Sequence, residues 1–148
     1  MKVLFTVLFA FSTAYASETC KAQVGTWKMD PGRSDWSNKP GGPPSGVILT
    51  ITDNGWTMVT ERSGKKTELH FDRQTTSVTG DDRISIREEP TGNPCFADMR
   101  VNIKGTDKEL ERVVTVSVPG GKSLLIYGSG IAADGKQWWD SSYFKRVR

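Results

Sequence analysis

Few of the 148 residues have side chains whose types could do chemistry: one histidine, two cysteines and five tryptophans, set among 20 basic and 17 acidic residues. A general base needs a group that titrates near neutrality and a neighbour that orients it. His70 is the only histidine, and it alternates with Leu69 and Phe71, which assigns it to the polar face of a strand. One histidine and two cysteines cannot complete a four-ligand zinc site. The chain has no G-x-S-x-G elbow, no H-E-x-x-H pair and no glycine-rich phosphate loop leading into a helix. Asp81-Asp82 follows Gly80 in a turn, where aspartate bonds to its own backbone, and Glu88-Glu89 ends a strand beside Pro90. No catalytic residue, metal or cofactor is therefore assigned.

Cys20 and Cys95 sit neither beside a histidine nor in a C-x-x-C pair, so a disulfide is expected rather than a reactive thiol. Disulfides persist in oxidising compartments, and the start of the chain agrees. Lys2 precedes an apolar run over residues 3–11, and Ala14 and Ala16 give the small-x-small spacing of a signal-peptidase site. We expect a secretory signal peptide at residues 1–16 and one domain at 17–148, periplasmic or extracellular, with no transmembrane segment once the signal is removed. The alternative for the first residues is a buried N-terminal helix. The net charge of +3 is too small and too scattered for nucleic-acid binding, and the densest basic cluster, Lys145, Arg146 and Arg148, reads as a solvated strand end.

The tryptophans Trp27, Trp36, Trp56, Trp138 and Trp139 are many for so short a chain. Trp138 and Trp139 are neighbours in one strand, so they leave opposite faces. Two readings stand: core residues with a covered edge, or a stacking platform for a sugar, lipid or other flat ligand. Arg112 shares its face of a strand with Leu110, Val114, Val116 and Val118, which would point a guanidinium into an apolar interior. There it needs an anion, either a ligand carboxylate or Asp140, which shares a face with Trp138 and Ser142. A bulge that turns Arg112 to solvent is the alternative.

These residues are positioned by strands. Segments rich in Val, Ile, Thr and aromatics alternate with Gly, Asn, Asp and Pro clusters about every eight to twelve residues, the spacing of an all-β sandwich or barrel. Strands are expected over 24–30, 46–52, 56–62, 66–71, 83–88, 96–104, 109–118, 122–131 and 137–147, with a shorter piece at 75–79. Asp53-Asn54-Gly55 is a hairpin signal, since Asn and Gly accept positive φ. Residues 32–46 hold Pro40-Gly41-Gly42-Pro43-Pro44 and form a loop, with one helical turn expected at 34–37. Short turns join nearly all the rest, so an antiparallel up-and-down meander closing into a barrel of eight to ten strands hides its edges most simply. A sandwich needs longer crossovers.

Gly25-Thr26-Trp27 in the first strand resembles the G-x-W signature of the lipocalin superfamily. The longer stretch from Gly25 through Met29, Asp30 and Pro31 to Ser34, with Tyr143-Phe144 in the last strand, is similar to bacterial secreted lipocalin-like proteins that open on G-T-W-K-L-N-x-x-x-S. The resemblance implies an antiparallel barrel whose closed end is plugged by Trp27. It also implies an arginine of the final strand packed over that ring by cation–π contact, Arg146 first and Arg148 second.

A lipocalin-like barrel of about eight strands can hold one small ligand among its inward side chains. The expected ligand is a small apolar or amphipathic molecule, with Trp56, Met58, Phe71, Met99 and Trp138 lining the interior and Arg112 as its polar anchor. Two other function classes remain open. One is a protein-interaction or envelope accessory module acting through the 32–46 loop and an exposed Trp36 or Trp139. The other is an isomerase or hydrolase, which would need an inward His70 or a buried carboxylate of raised pKa.

Overall fold

A computed structural model describes residues 20–117 and 120–147. The expected signal peptide at 1–16, Val118 and Arg148 lie outside the described residues.

The alternating β-branched and aromatic positions become ten strands. β1 (Gly25–Met29) runs into a 3₁₀ turn (Pro31–Arg33) and the proline-rich loop. Then follow β2 (Gly46–Thr52), β3 (Gly55–Arg62), β4 (Lys65–Asp72), β5 (Ser77–Thr79), β6 (Ile84–Glu89), β7 (Phe96–Ile103), β8 (Glu109–Ser117), β9 (Ser123–Ile131) and β10 (Gln137–Arg146). The helical turn thus falls earlier than 34–37: Asp30 caps it, its carboxylate accepting from the Gly32 N–H, and Pro31 fills the first position, where no N–H is needed.

All ten strands form one sheet in the order β5-β4-β3-β2-β1-β10-β9-β8-β7-β6. Every ladder is antiparallel, and β1 pairs with both β2 and β10. The meander is thereby a nearly closed barrel, with a seam where β5 and β6 come together without a ladder. Arg73, just past β4, crosses toward that seam and grips Glu88 of β6 with two hydrogen bonds of 2.8 and 2.9 Å. In the first hairpin Gly55 (φ 148°) is obligatory, because a Cβ there would stand 2.0 Å from the Phe71 carbonyl oxygen.

Strand direction gives the barrel two different ends. β1 and β7 begin at one end and β10 finishes there, and the Cys20–Cys95 disulfide ties the segments before β1 and β7 together. The core cluster of Trp27, Met29, Leu49, Ile51, Leu124 and Phe144 packs between β1, β2, β9 and β10. Fully buried Trp27 donates its indole N–H to the Gln23 carbonyl at 2.8 Å. Arg146 lies 4.2 Å over the Trp27 ring and donates to the carbonyls of Val24 and Gly121 at 2.8 and 3.0 Å. At the opposite end the loop between β1 and β2 folds across the mouth. No helix among the described residues is long and apolar enough to cross a membrane.

Candidate functional site

The interior is hollow. A cavity of about 210 Å³ lies inside the barrel, larger than the ~150 Å³ apolar void that admits benzene in an engineered core. Its wall is mainly apolar: Leu49, Met58, Ile86, Met99, Val113 and Ile126 come from six different strands. Trp56 also lines it and packs at 5.7 Å from Phe71. Phe71 itself is buried behind that ring and is not part of the lining.

Trp56, Met58 and Met99 therefore face the cavity as expected, whereas Trp138, expected to line it too, is buried on the inner face at the mouth and is not part of the lining. Arg112 does not face inward. On β8 the inward set is Glu111, Val113 and Thr115, so Arg112, Val114 and Val116 form the outer wall. The Arg112 side chain is 43% exposed and donates to both carboxylate oxygens of Asp98, also on the outer wall. That guanidinium holds the Asp98 carboxyl below the usual range. His70 is on the outer wall as well, its Nδ1 2.9 Å from Thr57 Oγ1.

At the mouth the interior turns polar. Asp140 points inward from β10 with its side chain only 4% exposed, and Glu111 points inward from β8. The two carboxylates converge over β9 at Gly128, where a Cβ would stand 2.8 Å from Glu111 Oε1 and 2.9 Å from Asp140 Oδ2. Two positions on, a Cβ at Gly130 would stand 2.6 Å from the Trp138 ring. The glycines in this strand clear the space that the acids and the indole occupy.

The loop supplies the counter-charge. Lys39 Nζ lies 2.8 Å from Glu111 Oε1 and 2.9 Å from Asp140 Oδ2. It is also held between two indoles, 4.6 Å from the Trp36 centroid and 4.7 Å from that of Trp138. Trp36 donates to Ser142 Oγ at 2.8 Å, and Asp35 exchanges backbone hydrogen bonds of 2.8 Å with Ser141. Arg62 of β3 caps the carbonyls of Gly41 and Gly42 at 2.9 and 2.7 Å. The loop is thus built into the mouth. Burial raises the Glu111 pKa above its ordinary value, with Asp140 adding to the rise and Lys39 opposing it.

Asp140 was placed correctly by its alternation with Trp138 and Ser142, although its partner is Lys39 and not Arg112. Lys39 and Glu111 were missed. A Gly-Ser-Gly run inside a strand was the available signal, since interior glycines mark close approach. Among the described residues no group of histidine, cysteine and acidic side chains could hold a metal ion. The Trp56 indole N–H, buried in the cavity wall, has no hydrogen-bond acceptor among the described residues.

Comparison of the chain with protein-family models, with curated proteins and with solved structures gives no match.

Proposed function

We propose that this protein is an exported, lipocalin-like barrel that binds one small, largely apolar molecule in its interior. The observation that carries the reading is the walled apolar cavity of about 210 Å³. Pockets that take small molecules combine apolar walls with a few placed polar groups, and here those are the Trp56 N–H in the wall and the charged cluster at the mouth. The Cys20–Cys95 disulfide agrees with export. Calorimetric titration with 2-phenylethanol tests the reading. Saturable binding that is abolished by the cavity-filling substitution Val113→Phe is expected, and binding indifferent to that substitution would refute it.

A second reading, a surface-interaction module, has its own observation. On the outer wall Trp139 is 51% exposed, and its diagonal neighbours Tyr127 and Ile131 are 45% and 70% exposed. Trp36, the other aromatic considered for such a role, is bonded into the mouth.

A further inference from the structure

We infer that the mouth of the barrel is a recognition site for an organic ammonium group. Glu111 and Asp140 would be its counter-charges, Trp36 and Trp138 its aromatic walls, and Lys39 the built-in occupant that a ligand amine displaces. The assignment depends on the cavity taking a ligand at all, and it names the chemical class of that ligand: a small amphipathic amine.

Three independent features support it. First, the charges do not balance. Two carboxylates face one ammonium, so with both acids ionised the cluster carries an excess negative charge, Asp140 being almost fully buried and Lys39 and Glu111 partly exposed. Asp140 Oδ2, on an almost fully buried side chain, has Lys39 Nζ at 2.9 Å as its counter-charge. Burial is the main cause of the raised Glu111 pKa, and the neighbouring Asp140 carboxylate adds to the rise.

Second, the walls have the chemistry of a cation site. An ammonium between two indole faces with carboxylates beside it is the arrangement by which proteins recognise alkylammonium ligands, and Lys39 already displays that geometry from within the chain. Lysine reaches the site on a flexible four-carbon stem, while the loop backbone is held separately through Trp36, Asp35 and Arg62. The ammonium can therefore withdraw without unseating the loop.

Third, Glu111 and Asp140 line the same cavity as Met58, Met99 and Val113. A ligand whose nitrogen sat between the carboxylates would lay its apolar body along those side chains. A carboxylate-headed ligand at the mouth would instead meet two acids; of the arginines nearby, the cavity-lining Arg73 is paired with Glu88 and Arg62 is engaged with the Gly41 and Gly42 carbonyls.

The test compares three probes of one body by calorimetry on the disulfide-bonded protein at neutral pH: 2-phenylethylamine, 2-phenylethanol and 3-phenylpropanoate. The amine is expected to bind at least tenfold more tightly than the other two. Lys39→Ala is expected to tighten amine binding severalfold relative to alcohol binding. Asp140→Asn is expected to erase the preference for the amine over the alcohol, with an unchanged near-ultraviolet circular dichroism spectrum showing that the variant is folded. If the alcohol binds and the amine has no advantage, or if Lys39→Ala weakens the amine relative to the alcohol, the ammonium site is refuted and the cavity reading stands. If none of the three binds, both fail together.

Discussion

Lys39 Nζ lies 2.8 Å from Glu111 Oε1, so a residue from the loop that closes the barrel is bonded to the inner wall of the strand across the mouth. Asp140 shares the same ammonium. Removing one member of a buried charge cluster leaves the others without compensation. Lys39→Ala is therefore expected to cost about 1–3 kcal/mol, read from urea denaturation at neutral pH. A loss indistinguishable from zero would mean that the cluster is not buried in solution.

Glu111 gives a pH dependence whose sign opposes that of the other shifted acids. Its folded pKa is raised above the ordinary value of 4.5, chiefly by burial. Between 4.5 and that higher value the folded protein keeps a proton that the unfolded chain releases, so this group's contribution to stability falls as pH rises through the window. Glu111→Gln cannot ionise. Its stability relative to wild type is expected to increase from pH 4 toward pH 7 in parallel denaturation series, and a flat difference would contradict the raised pKa. Asp98 has a lowered pKa, mainly from its hydrogen bonds with Arg112, so its contribution is present above 3.8 and is lost as pH falls through the lower folded value.

Gly130→Ala tests the close packing of β9. Its added methyl would stand 2.5 Å from the Leu110 carbonyl oxygen and 2.6 Å from the Trp138 ring, neither of which can yield cheaply. A loss of about 1–3 kcal/mol is expected from overpacking. At Gly128 the new methyl would meet carboxylate oxygens. Gly128→Ala should therefore disturb the charge cluster, and calorimetry should show a weakened advantage for 2-phenylethylamine over 2-phenylethanol.

The fold was legible because it rests on local signals. Strand alternation, hairpin glycines and the one long loop are properties of a few neighbouring residues, and the strand ends fall within a residue or two of where turn chemistry put them, β5 starting latest. The structural pairing of Arg146 with Trp27 matches the arrangement implied by the resemblance. The site was harder to read for a physical reason. On β8 the polar and apolar faces are inverted: Val114 and Val116 lie outside with Arg112, while Glu111 and Thr115 lie inside. Alternation shows which residues share a face but not which face is inward, and counting apolar residues chose the wrong one. Such local violations of patterning concentrate where a protein has a use for a buried polar group. Lys39 left no trace at all, since a lysine in a proline-rich loop reads as solvated until the loop is seen folded over the mouth.

The disulfide closes a long loop, its cysteines 75 residues apart. Replacing both with serine is expected to cost about 4 kcal/mol on the chain-entropy account. Chemical denaturation of Cys20→Ser/Cys95→Ser against wild type measures it. A change below about 1 kcal/mol would mean that the unfolded chain is little constrained by the bridge.

Whether the hollow interior takes a ligand is answered most directly by methyl NMR during a titration with 2-phenylethanol. Saturable shifts of the Met58, Met99 and Ile126 methyls, with Ile48 and Val114 on the outer wall unmoved, are the result expected. Shifts confined to the outer face around Tyr127, Ile131 and Trp139, or no shifts at all, would contradict an internal binding site.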